Sequence, residues 1–214
     1  MRDSAWQSFS AGIKFLKSVA SADGFPPEDG PEIAFAGRSN AGKSSAINAL
    51  FGRKRIALVS KRPGRTQHIN YFSMDAGRYL VDLPGYGYAA APAETRRDWD
   101  RLVGGYLRSR QRLCGVVLVM DARHPLARLD RGFLEWLAPT GVPVHVLLSK
   151  ADKLSRQQAG QTLSQVEGAL KRDFHRCTVQ LFSSTHATGI REARAAVIAL
   201  LEAAVHKKPP VKGE

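Results

Sequence analysis

The sequence predicts an α/β fold with three layers, in which a mostly parallel sheet of six strands is covered by helices on both faces. Short runs rich in β-branched residues alternate along the chain with longer amphipathic segments, and this alternation favours parallel strands joined by helical crossovers. The turn-forming residues 75–77 separate two of the strand-like runs and predict a hairpin. The hairpin adds one antiparallel edge strand to the sheet.

Each element follows from a local residue pattern. Strands are predicted where β-branched and other apolar residues cluster between turn signals: 32–36, 69–74, 78–82, 115–121, 142–148 and 178–182. Helices are predicted where apolar residues recur at helical spacing: 43–51, 95–112, 129–138, 155–171 and 190–205. Ser155 is the expected N-cap of the fourth of these helices, because a serine hydroxyl accepts a backbone N–H bond at that position.

Two segments lie outside this alternation. Apolar residues at helical spacing predict an amphipathic helix over 5–20, namely Trp6, Phe9, Ile13, Leu16 and Ala20. A turn-rich linker follows at 23–27, so residues 1–30 are predicted to pack as a helix and linker on a main domain of residues 31–205. The Lys- and Pro-rich residues 206–214 have the composition of a disordered basic tail.

Basic residues exceed acidic ones by a wide margin. The chain has 214 residues, with 32 Lys and Arg against 19 Asp and Glu, and a formal net charge of +13. The length suits one domain of ordinary size. The charge predicts a polyanionic partner, which is a nucleic acid, an anionic membrane surface or a nucleotide.

The sequence predicts no membrane span. The purest apolar run, 114–120, is far shorter than the roughly 20 residues that a span needs. Lys14 and Lys17 interrupt the apolar stretch 9–19, which excludes a signal-peptide core. Cys114 and Cys177 are too few and too far apart for a disulfide framework or a zinc site, so a reducing cytoplasm is the expected location.

A glycine-rich phosphate-binding motif lies between the first predicted strand and the first of the predicted helices. Gly37-Arg-Ser-Asn-Ala-Gly-Lys-Ser44 fits the pattern G-x-x-x-x-G-K-[ST]. Its glycines let backbone N–H groups and a helix N-terminus face phosphate oxygens. Lys43 is expected to reach the β- and γ-phosphates, and the Ser44 hydroxyl to bind Mg²⁺. The residues expected to line the phosphates are Gly37, Arg38, Ser39, Asn40, Ala41, Gly42, Lys43, Ser44 and Ser45.

Two further segments are candidates for sensing the γ-phosphate. Asp82-Leu83-Pro84-Gly85 follows a predicted strand and fits D-x-x-G, in which the carboxylate approaches Mg²⁺ through water and the Gly85 N–H meets the γ-phosphate. Gly64, Arg65 and Thr66 precede the second strand. Thr66 is expected to donate its N–H to the γ-phosphate and to place its hydroxyl oxygen on Mg²⁺, so that hydrolysis releases the loop. The alternative is that residues 61–68 are only a polar connector.

A third group of residues is expected to select the base. Ser149-Lys150-Ala151-Asp152 closes an apolar strand, and a carboxylate at position 152 accepts from both N1–H and the 2-amino group of guanine. Adenine lacks these donors, and sites built on such bonds discriminate by about 10⁴–10⁵-fold. Lys150 is expected to lie across the base, and Phe182-Ser183-Ser184 to offer a backbone N–H, from Ser184, to the guanine O6.

Taken together, the segments 37–45, 61–67, 82–89 and 149–153 resemble the EngB (YihA, YsxC) family of bacterial GTP-binding proteins. The most specific element is the extension Gly85-Tyr-Gly-Tyr-Ala89 that continues Asp82-Leu-Pro-Gly85, and Ser149 stands where the family usually has threonine. The resemblance implies a Ras-like P-loop GTPase fold, a cytoplasmic location and binding of GTP or GDP with Mg²⁺. It also implies association with the maturing large ribosomal subunit and its rRNA, and a link to cell division and septation.

The hydrolysis expected of such a protein is slow. In Ras-like proteins a glutamine after D-x-x-G orients the attacking water, whereas this chain has Tyr86 there. The expected unassisted rate is within a decade or two of ~10⁻⁴ to 10⁻³ s⁻¹. Lys43, Thr66, Gly85 and Asn40 are the candidate catalytic residues. The Asn40 amide oxygen could hold K⁺ against the phosphates, or Asn40 could simply shape the loop.

Several interpretations remain open at this stage. An adenine-specific P-loop ATPase is the first rival, and Asp152 opposes it. The second is an RNA-binding module that uses the nucleotide as a structural ligand.

The basic residues are concentrated in one part of the chain. The segment 33–74 carries eight basic residues and no acidic one. We therefore expect residues 53–65 to form an rRNA-binding surface that becomes ordered when GTP binds. The alternative is a basic face that is simply exposed to solvent. A monomer is expected.

Overall fold

The computed structural model of this chain describes residues 2–27, 29–53, 56, 68–87 and 93–205. Within them lie the strands β1 (Lys14–Val19), β2 (Glu32–Gly37), β3 (Ile69–Met74), β4 (Arg78–Asp82), β5 (Leu113–Asp121), β6 (Val144–Ser149) and β7 (Cys177–Leu181). The α-helices of these residues are α1 (Arg2–Ser10), α2 (Lys43–Phe51), α3 (Ala93–Ser109), α4 (Arg128–Leu137), α5 (Arg156–Asp173) and α6 (Ile190–Val205). The strands form one sheet in the order β1-β3-β4-β2-β5-β6-β7.

The predicted α/β class and the mostly parallel sheet are confirmed. β2 pairs in parallel with β4 and β5, and the parallel pairing continues through β6 to β7. β3 and β4 form the predicted antiparallel hairpin, with Asn70 opposite Asp82. The helices α2 and α6 begin and end where the sequence predicts. Ser155 is the N-cap of α5, and its hydroxyl accepts from the Gln158 N–H at 3.2 Å.

The N-terminal segment differs from its prediction. A single helix over 5–20 is wrong, because α1 ends at Ser10 and the chain continues as β1, antiparallel to β3. Over the described residues the sheet therefore has seven strands and two antiparallel pairings, whereas the sequence predicts six strands and one antiparallel pairing. The open edge of β3 offers a row of backbone hydrogen bonds, which outweighs the helical spacing of the apolar residues. Gly12 marks the break, since a Cβ there would lie 1.9 Å from Oδ1 of Asp75.

Apolar side chains on both faces of the sheet produce the three layers. One core cluster joins α3, α4 and α5 to the sheet, with Tyr106 and Phe133 among its members. A second cluster joins α1, α2 and α6 to the opposite face, with Trp6, Leu50 and Val197 among its members. All nine residues of β5 are buried, as expected of a central parallel strand that is covered on both faces.

The carboxyl ends of the parallel strands meet at one edge of the sheet. β2 lies between β4 and β5, and the order of connections reverses at that point. In open α/β sheets ligands bind in the crevice outside the carboxyl ends of the strands at such a reversal. The segments 37–44, 82–87, 149–152 and 182–184 all follow these strand ends. None of the helices that the structure describes combines the length and apolarity needed to cross a membrane.

Candidate functional site

The phosphate loop, residues 37–44, curves from the end of β2 into the first turn of α2. Asn40 and Gly42 both adopt the left-handed backbone region, with φ of 65° and 97°. Gly37 passes close to β5, because a Cβ there would lie 2.7 Å from the Val119 carbonyl oxygen. Gly42 is the N-cap residue of α2, so it has no side-chain oxygen to compete for the first N–H groups of the helix. A helix N-terminus of this kind favours an anion.

Lys43 and Asp82 lie against each other at the centre of the site. The Lys43 Nζ donates to Oδ1 of Asp82, and both side chains are largely buried, with 11% and 7% of their surface exposed. Ser44 follows Lys43 in the first turn of α2. The fold therefore brings the predicted phosphate-binding lysine and the predicted metal-side carboxylate into direct contact, although 39 positions separate them in the sequence.

The segment after Asp82 is hydrogen-bonded along the phosphate loop. Ser39 donates its N–H to the Tyr86 carbonyl at 2.9 Å, and Tyr86 donates its own to the Gly37 carbonyl at 3.3 Å. Gly85 is pressed against the loop, since a Cβ there would lie 3.2 Å from the Ser39 Oγ. A displacement of either segment must therefore disturb the other.

Tyr86 points away from this crevice and into the core. Its side chain stacks on Phe133, with ring centroids 5.2 Å apart, and its hydroxyl donates to Oδ1 of Asp130 at 2.9 Å. Asp130 is fully buried and also accepts from the Arg38 Nε at 3.0 and 3.1 Å. Sequence reasoning missed Asp130, because no motif marks a helical aspartate whose partners lie 44 and 92 positions away.

The 149–152 segment braces the phosphate loop from the side. The Ser149 hydroxyl donates to the Ala41 carbonyl, and the Lys150 Nζ donates to the Asn40 carbonyl at 2.7 Å. The same Nζ lies 3.0 Å from Oδ2 of Asp121 at the end of β5. Lys150 adopts a left-handed conformation, with φ of 58°. The stem of Lys150 thus spans from β6 to the loop.

Asp121 is a second residue that the motifs did not reveal. Burial alone would raise the pKa of this carboxyl, but hydrogen bonds from Arg123 and Lys150 outweigh burial and hold the pKa well below its usual range. The Arg123 guanidinium donates to both carboxylate oxygens, at 2.9 and 2.6 Å. Asp121 therefore stays ionised and fixes the ammonium group of Lys150.

Asp152 presents one unbonded carboxylate oxygen at the edge of the site. Its Oδ1 accepts from the Ser183 hydroxyl at 2.6 Å, whereas its Oδ2 is buried and has no hydrogen-bond partner among the described residues. The Lys153 Nζ lies 3.5 Å from this Oδ2, and the His186 Nδ1 lies 3.8 Å from it. The bond from Ser183 lowers the pKa of Asp152 despite its burial. The result is an ionised carboxylate that still has an acceptor to offer.

The loop after β7 lies beside this carboxylate. Ala151 donates its N–H to the Phe182 carbonyl at 3.1 Å, and Ser183 donates its N–H to the Thr188 carbonyl at 3.0 Å. The Ser183 Oγ accepts from the His186 N–H at 3.1 Å. Ser184 is exposed at the tip. The predicted base-selecting residues therefore lie at the end of β6 and in the two loops that follow the adjacent strands β6 and β7: Ser149, Lys150, Ala151, Asp152, Phe182, Ser183 and Ser184.

The remaining predicted site residues divide into two groups. Leu83 and Pro84 are buried in the segment that joins Asp82 to Gly85, and Ser45 continues the first turn of α2. Gly64, Arg65 and Thr66 lie outside the described residues, as do most of the basic segment 53–65 and the tail 206–214. The predicted roles of Thr66 toward Mg²⁺ and phosphate therefore stay predictions.

The chain folds as a mostly parallel sheet covered by helices on both faces. At the carboxyl edge of this sheet lie a G-x-x-x-x-G-K-S loop, a D-x-x-G segment and an S-K-A-D segment, and together they define a P-loop GTPase. Residues 32–150 match the model of a family described as 50S ribosome-binding GTPase. A probable GTP-binding protein EngB of Azoarcus sp. (strain BH72) is 53% identical over 199 residues, which cover 92% of this chain and 95% of that protein. The same-named protein of Thiobacillus denitrificans is 55% identical over 194 residues, which cover 90% and 93%.

The chain belongs to the EngB family of GTP-binding proteins, and it is a GTPase. Among solved structures it is similar to a probable GTP-binding protein engB, with a TM-score of 0.64, 22% identity and coverage of 80% of this chain and 99% of that chain. A bacterial selenocysteine-specific elongation factor gives a TM-score of 0.58 at 18% identity, covering 81% of this chain and 29% of that one. At these identities the structures establish a shared fold.

Proposed function

We propose that this GTPase hydrolyses GTP slowly and uses its nucleotide state to control binding to the maturing large ribosomal subunit in the cytoplasm, a role that links it to cell division and septation. The family description and the net charge of +13 support an RNA-rich partner. The observation that carries the switch is the pair of backbone hydrogen bonds between Tyr86 and the phosphate loop, at 2.9 and 3.3 Å. A nucleotide that moves the loop must move the segment that follows D-x-x-G.

The chain's residues take the following roles in this proposal. The phosphate loop and the N-terminus of α2 receive the phosphates, and Lys43 exchanges its contact with Asp82 for phosphate oxygens. Asp152 accepts from guanine through its unbonded Oδ2, while Lys150 covers the base. The Gly85 N–H and Thr66 meet the γ-phosphate. A buried carboxylate with an acceptor to spare favours guanine over adenine, because adenine would leave it unpaired.

The donor set suits Mg²⁺. A serine hydroxyl on Ser44 and a carboxylate on Asp82 are hard oxygen ligands, and phosphate oxygens complete the kind of set that Mg²⁺ prefers. When bound, the ion neutralises charge on the β- and γ-phosphate oxygens. The contact between Asp82 and Lys43 keeps both groups paired until phosphate arrives, so the protein does not leave a buried charge uncompensated.

Slow turnover follows from the position of Tyr86. Its hydroxyl is committed to Asp130 and its ring to Phe133, so the residue after D-x-x-G cannot orient a water at the γ-phosphate. We expect the isolated protein to hydrolyse GTP within a decade or two of ~10⁻⁴ to 10⁻³ s⁻¹. A single-turnover rate above roughly 1 s⁻¹ would contradict the proposal.

We propose that K⁺ supplies the positive charge that an inserted arginine supplies at the phosphates in other GTPases. The Asn40 side chain is exposed at the mouth of the phosphate loop, and an amide oxygen there can hold K⁺ where other GTPases insert an arginine. The comparison is turnover in KCl against NaCl at equal ionic strength. Equal rates would leave Asn40 with a role in loop shape alone.

The ribosomal part of the proposal is tested by sedimentation with large ribosomal subunits in GDP, in a GTP analogue and without nucleotide. A switch requires differential affinity of the two nucleotide forms. Charge reversal at Lys54 and Arg55 should weaken binding and flatten its salt dependence while GTP affinity stays nearly unchanged. Equal binding in all nucleotide states would favour the alternative, an RNA-binding module with a structural nucleotide.

A further inference from the structure

The edge strand β1 exposes an aromatic ring that the nucleotide site does not use. Phe15 is 60% exposed, the highest value among the large hydrophobic side chains that the structure describes as exposed. Complete burial of a phenylalanine contributes about 1.5–3 kcal/mol. An exposed ring on an ordered strand therefore contributes less to stability than a buried one would. We infer that the ring contacts a binding partner.

The ring is held in a fixed position by its neighbours. Phe15 lies opposite Phe72 in the β1–β3 pairing, and the two rings meet edge to face with centroids 5.7 Å apart. The register shifts between Phe15 and Lys17, so Leu16 lies in a bulge that turns the outer part of the strand. The Phe15 ring thus packs edge to face against Phe72 and keeps most of its surface exposed.

A groove of about 440 Å³ runs beside this ring. Its lining residues are Ile13, Lys14, Phe15, Arg53, Ile56 and Phe72. Among the described residues the lining thus combines two aromatic rings with two cations and includes no carboxylate. The volume lies within the range of small-ligand pockets, roughly 300–1,000 Å³. The Arg53 guanidinium is fixed at the rim, because it donates to the carbonyls of Ile13 and Ala11 at 3.3 and 3.0 Å.

The features of β1 oppose the addition of another strand. Lys14 and Lys17 are exposed on the edge, and the bulge at Leu16 interrupts the row of backbone groups. Charged residues and bulges are the devices by which proteins prevent pairing at sheet edges. A peptide strand or a second copy of this chain is therefore a poor match to the edge.

We propose that the groove between β1 and Arg53, which we name the Phe15 groove, binds an unpaired nucleotide of single-stranded RNA. The base stacks on Phe15, and Lys14 and Arg53 neutralise the flanking phosphates. Stacking on an aromatic ring combined with a basic track is how proteins bind single-stranded nucleic acid, and unpaired bases are the accessible ones in RNA. Arg53 is also the first residue of the basic sequence segment 53–65.

The inference rests on the proposed function in one respect, namely that the polyanionic partner is RNA. Its test uses the full chain and a fluorescent, unstructured RNA of about 12 nucleotides, a length within the range that single-strand-binding folds cover. Phe15→Ala should weaken binding of this RNA about tenfold, by loss of one stacked base. Phe15→Trp should retain binding, and the duplex form of the same RNA should be bound equally by all three proteins.

Leu16→Ala is the matched control, because Leu16 is an exposed apolar neighbour, at 44%, that does not line the groove. It should leave binding unchanged. Thermal unfolding of each variant establishes that the fold is kept, and photo-cross-linking of a 4-thiouridine RNA to wild type should label the peptide that contains Phe15. Equal binding by wild type and Phe15→Ala, or cross-links confined elsewhere, would overturn the inference.

Two further outcomes separate this inference from the proposed function. If wild type sediments with ribosomal subunits in its GTP form but Phe15→Ala binds the oligonucleotide normally, the groove fails and the switch stands. If wild type ignores ribosomal subunits but requires Phe15 for the oligonucleotide, the switch fails and the groove stands. A change in oligomeric state on Phe15→Ala without a change in RNA binding would assign the edge to a second copy and overturn the inference.

Discussion

The Tyr86 hydroxyl donates to Oδ1 of the fully buried Asp130 at 2.9 Å. Burial, and then the nearby Asp130 carboxylate, raise the pKa of Tyr86 well above its usual value, so the hydroxyl stays protonated and remains a donor. Asp130 also binds Arg38 of the phosphate loop. Tyr86, the first residue after D-x-x-G, is therefore anchored to α4 and to the phosphate loop. It has a structural role at a position where Ras-like proteins place a residue that orients water.

Tyr86→Phe is the first prediction. The variant keeps the stack on Phe133 and removes one hydrogen bond to a buried carboxylate that Arg38 still holds. The free energy of unfolding should fall by about 1–2 kcal/mol, while single-turnover GTP hydrolysis stays within about twofold of wild type, since the hydroxyl faces the core. Urea unfolding and single-turnover kinetics measure the two quantities. A tenfold loss of hydrolysis at unchanged stability would instead place the hydroxyl at the reacting phosphate.

The site segments that can be predicted from the sequence are those whose residues are contiguous in the chain. The phosphate loop, the D-x-x-G segment and the S-K-A-D segment are each contiguous, and each follows a strand whose β-branched residues identify it. The topology of the sheet then brings them together, because carboxyl ends of parallel strands meet at one edge. Asp121 and Asp130 were missed, because their importance arises from partners that the fold supplies.

The failure over residues 5–20 has a different cause. Trp6, Phe9 and Ile13 are all buried, as the helical spacing suggested, but the first two belong to α1 while Ile13 precedes β1. The apolar residues that share one helical spacing in the sequence therefore belong to two structural elements, a helix and the start of a strand. The deciding interaction is the backbone pairing of β1 with β3, which no local pattern in the segment reveals.

Asp152→Asn is the second prediction, and it concerns base selection. Asp152 offers its unbonded Oδ2 as an acceptor, whereas an asparagine offers one acceptor and one donor. The variant should bind GTP at least about 100-fold more weakly and should gain affinity for xanthosine triphosphate, which has a carbonyl where guanine has the 2-amino group. Competition against a labelled guanine nucleotide measures both.

The control for this change is Asp98→Asn, the same substitution at an exposed position on α3. It should leave the affinity for each nucleotide unchanged. Retention of normal GTP affinity by Asp152→Asn would remove Asp152 from the base site.

Ser149→Ala is the third prediction, and it concerns the brace between β6 and the phosphate loop. The Ser149 hydroxyl donates to the Ala41 carbonyl, so its loss leaves a buried carbonyl without that donor, at a cost of about 1–2 kcal/mol in the free energy of unfolding. Because the bond holds the phosphate loop in shape, the Kd for GDP should rise about fivefold to tenfold. Ser149→Thr keeps the hydroxyl and should retain both properties. If alanine and threonine at this position behave alike, the hydroxyl does not brace the loop.

The fourth prediction concerns acid stability and His145. This side chain is buried, with Thr178 Oγ1 at 2.7 Å from Nδ1 and Gln180 Oε1 at 2.9 Å from Nε2. Burial lowers the pKa of His145 below its ordinary 6.5, although the bond to Gln180 opposes this. As the pH falls through 6.5, the unfolded chain takes up a proton that the folded protein does not, so the free energy of unfolding decreases.

His145→Gln removes that titration. The difference in unfolding free energy between wild type and this variant should therefore be smaller at about pH 5.5 than at about pH 7.5. Histidine is the side chain that ordinarily titrates in this range. Ser155→Ala is the control, because it removes a hydroxyl that caps α5 at a cost of about 1 kcal/mol and changes no titrating group. The difference in unfolding free energy between this variant and wild type should be the same at both pH values. Urea unfolding at the two pH values measures each difference. A constant difference for His145→Gln would mean that His145 does not contribute to the acid sensitivity of the fold.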